Sequence, residues 1–217
     1  MTARVIAPER LGFVDVATSS HNHTDHLDAE TLCPLLAANP KLQLVVPEAN
    51  RQFVAERLQV APERLLGVDA GQAVAVGNFK LTGIPAAHES LEKDEHGHCR
   101  YLGYLVEFGP WSVYHSGDTI RYDGLIGFLS QWKIDLALLP INGRHPSRRV
   151  AGNLDGAEAA LLAKAIGAGV VIPCHYEMFE FNTASPDEFS KTATRIHQPF
   201  KTLRAGERWS SPMAKNP

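Results

Sequence analysis

The chain has 217 residues and a formal net charge of −3, with 44% hydrophobic and 21% charged residues. This balance is typical of a globular protein with a buried core, and it disfavours nucleic acid as a partner, which usually requires a concentrated basic face. No apolar run approaches the ~20 residues that span a bilayer, and no secretory signal is evident. We therefore expect one cytoplasmic domain over residues 1–217, with a small-molecule substrate, no nucleic-acid or membrane partner, and homo-oligomerisation left open.

The first third of the chain alternates predicted strands and helices. In chain order these are a strand (13–18), a helix (28–39), a strand (42–47) and a helix (48–58). Asp28 suits the N-cap of the first helix, whereas Pro34 inside it would remove one backbone hydrogen bond. The other elements are assigned from their hydrophobic period.

The middle of the chain predicts two hairpins, and the last third predicts strands alternating with helices. Gly77-Asn78 and Gly109-Pro110 mark the turns of the hairpins. The later elements are a strand (135–142), a helix (155–167) with Asp155 near its cap, a strand (169–175) and a helix (185–197) capped by Ser185. Strand pairs mixed with α/β units predict sheets covered by helices, an α/β layered fold.

Residue types that bind metals lie just after predicted strands. HNHTDH (21–26) follows the first strand, and three single residues, His88, Asp118 and His175, follow later ones. In α/β sheets the carboxyl ends of strands are the usual position of functional sites. A polar loop after a strand would explain the first cluster alone, but it does not explain the whole set.

The spacing inside HNHTDH suits two neighbouring metal ions. Residues two apart in an extended segment point the same way, so His21 and His23 can bind one ion while Asp25 and His26 face a second. Counting the single residues, the set holds five imidazoles and two carboxylates, which suit divalent ions of borderline softness such as zinc, with manganese also credible. A water molecule between two such ions becomes a nucleophile at neutral pH.

These motifs, in this order, resemble the metallo-β-lactamase superfamily of binuclear hydrolases. The set is HNHTDH, the lone His88, SGDT and a strand ending in PCH, and the resemblance extends from about Phe13 to the end of the chain. YHSGDT, LLPINGR with the following GN, and VVIPCHYEMFEFNTASPDEF are similar to the branch that contains L-ascorbate-6-phosphate lactonase. The resemblance implies a four-layer αββα sandwich with the metals at one edge of its two sheets.

The resemblance also implies a role for each candidate ligand. His21, His23 and His88 would bind the first metal, Asp25, His26 and His175 the second, and Asp118 would bridge the two. Asp25 is in addition the candidate catalytic residue, which orients the nucleophile and shuttles its proton.

The first strands of the superfamily fold are missing from the sequence pattern. Its members normally open with a strand pair that contains a G-H/Q-S segment and an I-D-P segment, and neither is present here. We therefore expect an N-terminally short chain in which one sheet lacks its opening strands and exposes an edge and an apolar face.

Candidate substrate-binding residues follow two of the later strands. In NGRHPSRR, the guanidinium groups of Arg144, Arg148 and Arg149 are suited to a phosphate or carboxylate, and Asn142 adds a donor. A solvated basic loop is the alternative interpretation. Tyr176 would stabilise an oxyanion or simply pack, and Asn182 is either a pocket residue or a turn residue.

Together these features predict a metal-dependent hydrolase. A hydroxide between two metals would attack the carbonyl of a lactone or ester in a small substrate, such as a phosphorylated sugar lactone. A phosphodiesterase or a phospholipid esterase of the same fold remains open, and a redox di-iron protein is disfavoured because His23 stands where that branch would be expected to hold a carboxylate. An inactive, truncated metal-binding remnant is the alternative outside enzymes.

Overall fold

The computed structural model describes residues 2–145 and 152–211. The strands of the described residues are β1 Val16–Thr18, β2 Gln43–Pro47, β3 Leu65–Val68, β4 Ala73–Val76, β5 Phe79–Pro85, β6 Leu102–Phe108, β7 Trp111–His115, β8 Leu136–Pro140 and β9 Val170–Cys174. The α-helices are α1 Ala29–Ala38, α2 Arg51–Leu58, α3 Leu125–Leu129, α4 Gly156–Ala165 and α5 Asp187–Arg195.

The strands form two sheets. The first is parallel and has the order β1-β2-β3, and the second has the order β4-β5-β6-β7-β8-β9. In the larger sheet β4 to β7 pair antiparallel through the two predicted hairpins, whereas β7, β8 and β9 run parallel. The chain thus changes from hairpins to βαβ connections within one sheet.

Alternating side chains of the strands place the two sheets face to face. In β2, Leu44 and Val46 pack against α1 and α2, while Val45 between them points to the other sheet. In β6, Tyr104 faces the small sheet, while Leu105 belongs to the cluster formed with α3, α4 and α5. Each sheet is therefore covered by helices on its outer face, which confirms the predicted αββα order of layers.

Most predicted elements are present, with shifts at their ends. Asp28 caps α1 through the Glu30 amide, and Pro34 is accommodated inside that helix. At α4, Asp155 and Glu158 form a reciprocal capping box. The predicted Ser185 cap was one residue early: Pro186 takes the N-cap position of α5, and Ser185 accepts a hydrogen bond from the Asp187 amide instead.

One strand and one α-helix were not predicted, and one predicted helix consists of two shorter elements. β3 is a four-residue strand whose outer residues alone are buried, so it shows no alternation. α3 has five residues, too few for a helical period. The predicted helix 48–58 is a 3₁₀ turn, Glu48–Asn50, followed by α2.

The small sheet ends at β1. Among the described residues, no strand pairs with the outer edge of β1. Phe13, which precedes β1, has 76% of its surface exposed. No described helix is both long and apolar enough to cross a membrane.

Candidate metal centre

The candidate metal centre begins in the loop after β1, which two serines hold in shape. The Ser19 hydroxyl lies 3.0 Å from the carbonyl oxygen of His21 and 2.9 Å from that of His26, so it joins the two ends of HNHTDH. Within the loop, the amides of His26 and Leu27 both donate to the carbonyl of His23. The tight turn brings four side chains with metal-binding atoms to one side.

The structure brings all seven predicted ligands together. His88 follows β5, Asp118 follows β7, and His175 follows β9 directly, so three strand ends of the large sheet meet the loop from the small sheet. Within each of three groups, one ligand atom per residue lies within 4.8 Å of the others; the groups are His21, His23 and His88; His21, His26 and Asp118; and Asp25, His26 and His175. The first and third groups are the two sites that the resemblance implied.

Asp118 lies at the centre of this cluster. Its Oδ1 atom is 3.3 Å from Nε2 of His26, and its Oδ2 atom is 3.4 Å from Nε2 of His88 and 3.5 Å from Nε2 of His175. Its side chain is 5% exposed. Burial alone would favour the neutral acid, but the contacts with His175 and His26 hold the pKa of Asp118 well below its usual range. Asp118 is therefore a buried carboxylate that reaches both proposed metal positions.

The outer nitrogens of three histidines are engaged away from the centre. Nδ1 of His88 donates to the carbonyl of Gly152 (2.7 Å). The Ser20 hydroxyl lies 2.9 Å from Nδ1 of His21 and 3.0 Å from Nδ1 of His26. A hydroxyl oxygen accepts two hydrogen bonds, so Ser20 can hold both rings as Nδ1–H tautomers whose Nε2 lone pairs face the cluster.

The burial and hydrogen bonding of the histidine nitrogens fit the binding of divalent ions. Nε2 of His21 and both ring nitrogens of His175 are buried without a hydrogen-bond partner, and buried polar atoms of this kind call for an unseen ligand. Burial lowers the pKa of His21 to about 2, so its Nε2 stays a free lone pair. Burial also opposes a charge on His175, but contacts with Asp118 and Asp25 raise its pKa to about 10.

The backbone at His175 is strained. Its φ angle is 60°, in the left-handed region that residues with a side chain seldom adopt, and Glu177 has a φ of 53°. Two backbone hydrogen bonds hold this segment. The Ile141 amide donates to the carbonyl of Cys174, and the Thr2 amide donates to the carbonyl of Met178. Strain of this kind is typical of functional sites and here turns the imidazole of His175 toward the carboxylates.

Asn142 and Asn182 of the predicted substrate residues lie at or next to the site. The amide of buried Asn142 donates to the side-chain oxygen of Asn182 (2.9 Å) and accepts from Asn153 (3.0 Å). Asn182 lines a pocket that also contains His23 and Asp118. Asn142 therefore positions Asn182 at the pocket wall.

Arg144 and Tyr176 have other partners. The guanidinium of Arg144 pairs with Glu158 at 2.6 Å and donates to the carbonyl of Asn153, and this pairing raises its pKa. The Tyr176 hydroxyl donates to the carbonyl of Leu203 and accepts from the Leu203 amide. Neither side chain is placed on the pocket wall. Arg148 and Arg149 lie outside the described residues.

The sequence interpretation missed several residues of this pocket, which has a volume of about 600 Å³. Arg57 comes from the last turn of α2, and Phe179 and Phe181 come from the loop after β9. The aromatic pair is visible in the sequence as FEF, but Arg57 is one of many arginines on predicted helices. Only the packing of α2 against the HNHTDH loop brings it to the site.

Comparison with known proteins agrees with this arrangement. Residues 2–176 match the family described as "Beta-lactamase superfamily domain", so the chain belongs to that superfamily. A relative from Hyperthermus butylicus, named "UPF0173 metal-dependent hydrolase", is 32% identical over 200 residues, which cover 89% of this chain and 80% of the relative. Within the superfamily, the chain accordingly belongs to the UPF0173 family. The resemblance to the ascorbate-phosphate lactonase branch stays a prediction.

Solved structures share the fold. The metallo-β-lactamase fold protein YhfI from Bacillus subtilis matches with a TM-score of 0.68 and 20% identity, covering 92% of this chain and 77% of that one. Igni18, a metallo hydrolase from Ignicoccus hospitalis, matches with a TM-score of 0.69 and 22% identity, covering 89% and 77%. The predicted fold class is thereby confirmed.

The Ser20 contacts lead to a first prediction. Ser20→Ala removes the acceptor shared by His21 and His26, so both rings lose the bond that orients them, and metal affinity is expected to fall about 10–100-fold. Competition with a chromogenic chelator measures this. Ser130→Ala, at the exposed end of α3, is the matched control and is expected to change nothing. Equal affinity in Ser20→Ala and wild type would show that Ser20 does not orient these ligands.

Proposed function

We propose that this protein is a hydrolase that binds two divalent metal ions, zinc or manganese, and cleaves a lactone or ester of a small substrate. The observation that carries the proposal is the convergence of seven imidazole and carboxylate side chains in one cluster. Four of them, His23, Asp25, His88 and Asp118, line one pocket. The name of the Hyperthermus butylicus relative, a metal-dependent hydrolase, supports the same activity.

The proposed ligands divide into two sets around a shared carboxylate. The first metal would be held by His21, His23 and His88, the second by Asp25, His26 and His175, with Asp118 between them. Three imidazoles suit zinc, and the carboxylate of Asp25 together with the shared carboxylate of Asp118 makes manganese an alternative at the second position. When bound, such ions polarise a carbonyl oxygen and acidify water so that it is a nucleophile at neutral pH.

The two carboxylates have different surroundings and so different roles. Asp118 is enclosed by imidazoles and only 5% exposed, which suits a bridging ligand. Asp25 has 23% of its side chain exposed and lines the pocket. Burial disfavours its charge, but His175 and His26 lower its pKa to about 2, so it is ionised at neutral pH. In this proposal, Asp25 accepts a hydrogen bond from the attacking water through its ionised carboxylate and so orients it.

The pocket favours a small substrate. Its volume of about 600 Å³ lies within the range of small-molecule sites. Phe179 and Phe181 supply apolar walls, and Asn182 supplies an amide that can bond to a polar group. A lactone or ester with a compact polar skeleton, such as a phosphorylated sugar lactone, suits these walls.

Metal analysis with an activity screen tests the proposal. The purified chain is dialysed, and metals are counted by elemental analysis. About two zinc or manganese ions per chain are expected, with hydrolysis of a lactone or ester that is lost on chelation and restored by metal. His21→Ala should lose at least one ion, whereas His96→Ala, an exposed histidine, should keep both. A folded chain without metal would contradict the proposal, and turnover of phosphodiesters alone would contradict the lactone or ester assignment.

A further inference from the structure

Arg57 is the only lysine or arginine among the described residues that line the metal pocket. It stands in the last turn of α2, and its Nη1 atom donates to the carbonyl of Asn22 (2.8 Å) and lies 3.4 Å from that of Leu27. The guanidinium carbon lies 4.5 Å from the centre of the Phe53 ring. Three contacts thus fix the guanidinium beside the loop that carries the candidate metal ligands.

No carboxylate of the described residues forms a salt bridge with Arg57. Arg51 on the same helix pairs with Glu48, and Arg144 pairs with Glu158. Arg57 has no such pair among the described residues, and its Nε and Nη2 donors have no hydrogen-bond acceptor there. Since a guanidinium presents its donors as a planar fork, the unused donors match two oxygens of one carboxylate or phosphate.

The surroundings of Arg57 indicate a substrate with two parts. The metal ligands His23, His88 and Asp118 line the same pocket, so a scissile carbonyl at the cluster and an anionic group at Arg57 share one cavity. Phe179 and Phe181 line the space that the carbon skeleton would occupy. The arrangement differs from the sequence prediction, which considered Arg144, Arg148 and Arg149 for anion binding, with a solvated basic loop as the alternative.

We propose that Arg57 binds an oxyanion group, carboxylate or phosphate, of the substrate whose ester or lactone bond lies at the metal cluster. This inference rests on the proposed function, because it names the substrate class of the same site. The substrate is then an anionic lactone or ester, and Arg57 is a specificity-determining residue that makes no bond to the reacting atoms.

Paired substrates test the role of Arg57. The metal-loaded enzyme is assayed with a carboxylated or a phosphorylated lactone or ester and with a neutral compound of the same skeleton. Arg57→Gln is expected to lower kcat/KM for the anionic member about 10–100-fold, mainly through KM, and to change the neutral member less than about threefold. The two anionic compounds separate carboxylate from phosphate as the group that is recognised. Arg57→Lys keeps the charge without the fork and should retain part of the preference.

The controls separate substrate binding from loop support. Arg51→Gln, on the same helix, should leave both substrates and the metal content unchanged. If Arg57→Gln lost metal and both substrates equally, Arg57 would only hold the HNHTDH loop and the inference would be overturned. Titration calorimetry with inorganic phosphate adds a readout without turnover. Suppose that the protein hydrolyses none of these substrates but that Arg57→Gln binds phosphate about tenfold more weakly than wild type. This result would support the anion site and contradict only the proposed function. Equal phosphate affinity in both proteins would overturn the inference.

Discussion

Asp118→Asn is expected to lower the metal content from about two ions to one or none and to reduce kcat/KM about 10³-fold. Asparagine keeps the shape of Asp118 but removes the charge that lies within 3.5 Å of three imidazole nitrogens. Its amide N–H would also point into the space between the Nε2 atoms, where a cation would otherwise bind. A bound metal contributes several kcal/mol to catalysis, which corresponds to about three orders of magnitude in rate.

Elemental analysis and steady-state kinetics on the same preparations measure both effects of Asp118→Asn. Asp123→Asn, five residues away and exposed, makes the same chemical change outside the site and should match wild type. Two ions and activity within about threefold of wild type in Asp118→Asn would remove Asp118 from the proposed bridge and leave the second carboxylate, Asp25, as the only candidate.

The predicted ligands were readable from the sequence because the signal is local. HNHTDH places four candidates within six residues, and His175 ends a continuous apolar strand. In the large sheet β5, β7 and β9 run in the same direction, so the residues that follow them reach the same edge, where they meet the loop from the small sheet. The hairpin turns and the caps Asp28 and Asp155 depend on near neighbours in the chain, and the structure confirms them.

Arg144 and Arg57, whose contacts the sequence did not predict, bind residues that are distant from them in the sequence. Arg144 was considered for substrate binding because it follows a strand, but it forms a salt bridge with Glu158 in the first turn of α4. Arg57 went unnoticed because its position depends on how α2 packs against a loop 30 residues earlier. Ser20, next to the histidines, had a usable signal, because a metal-binding imidazole usually donates its second ring N–H to a neighbouring acceptor.

Gly117→Ala is expected to destabilise the protein by about 3 kcal/mol and to weaken metal binding by more than tenfold. Gly117 has a φ of 60°, which costs an alanine about 1–2 kcal/mol. A Cβ atom there would lie 2.7 Å from the carbonyl oxygen of Leu102 and 2.8 Å from Cβ of Ser20. Backbone and loop must shift to make room, which adds further cost.

The same contacts explain why the effect of Gly117→Ala reaches the metals. The Gly117 amide donates to Nδ1 of His115 (2.9 Å), which fixes the turn that carries Asp118. Ser20, on the other side, holds His21 and His26. A methyl group between the two is therefore expected to push Asp118 and the histidine loop apart, so that the proposed ligands from the two sheets no longer lie at matching distances.

Thermal unfolding and chelator competition test Gly117→Ala. A loss of about 3 kcal/mol should lower Tm by roughly 6–12 °C in a chain of this length. Gly127→Ala is the matched control, because Gly127 lies in α3 and a Cβ there meets nothing within 4 Å. It should leave Tm unchanged or raise it slightly, since alanine favours a helix. A Gly117→Ala protein with the Tm and metal affinity of wild type would show that the two sheets hold their ligands independently, and the coupling through Ser20 would be wrong.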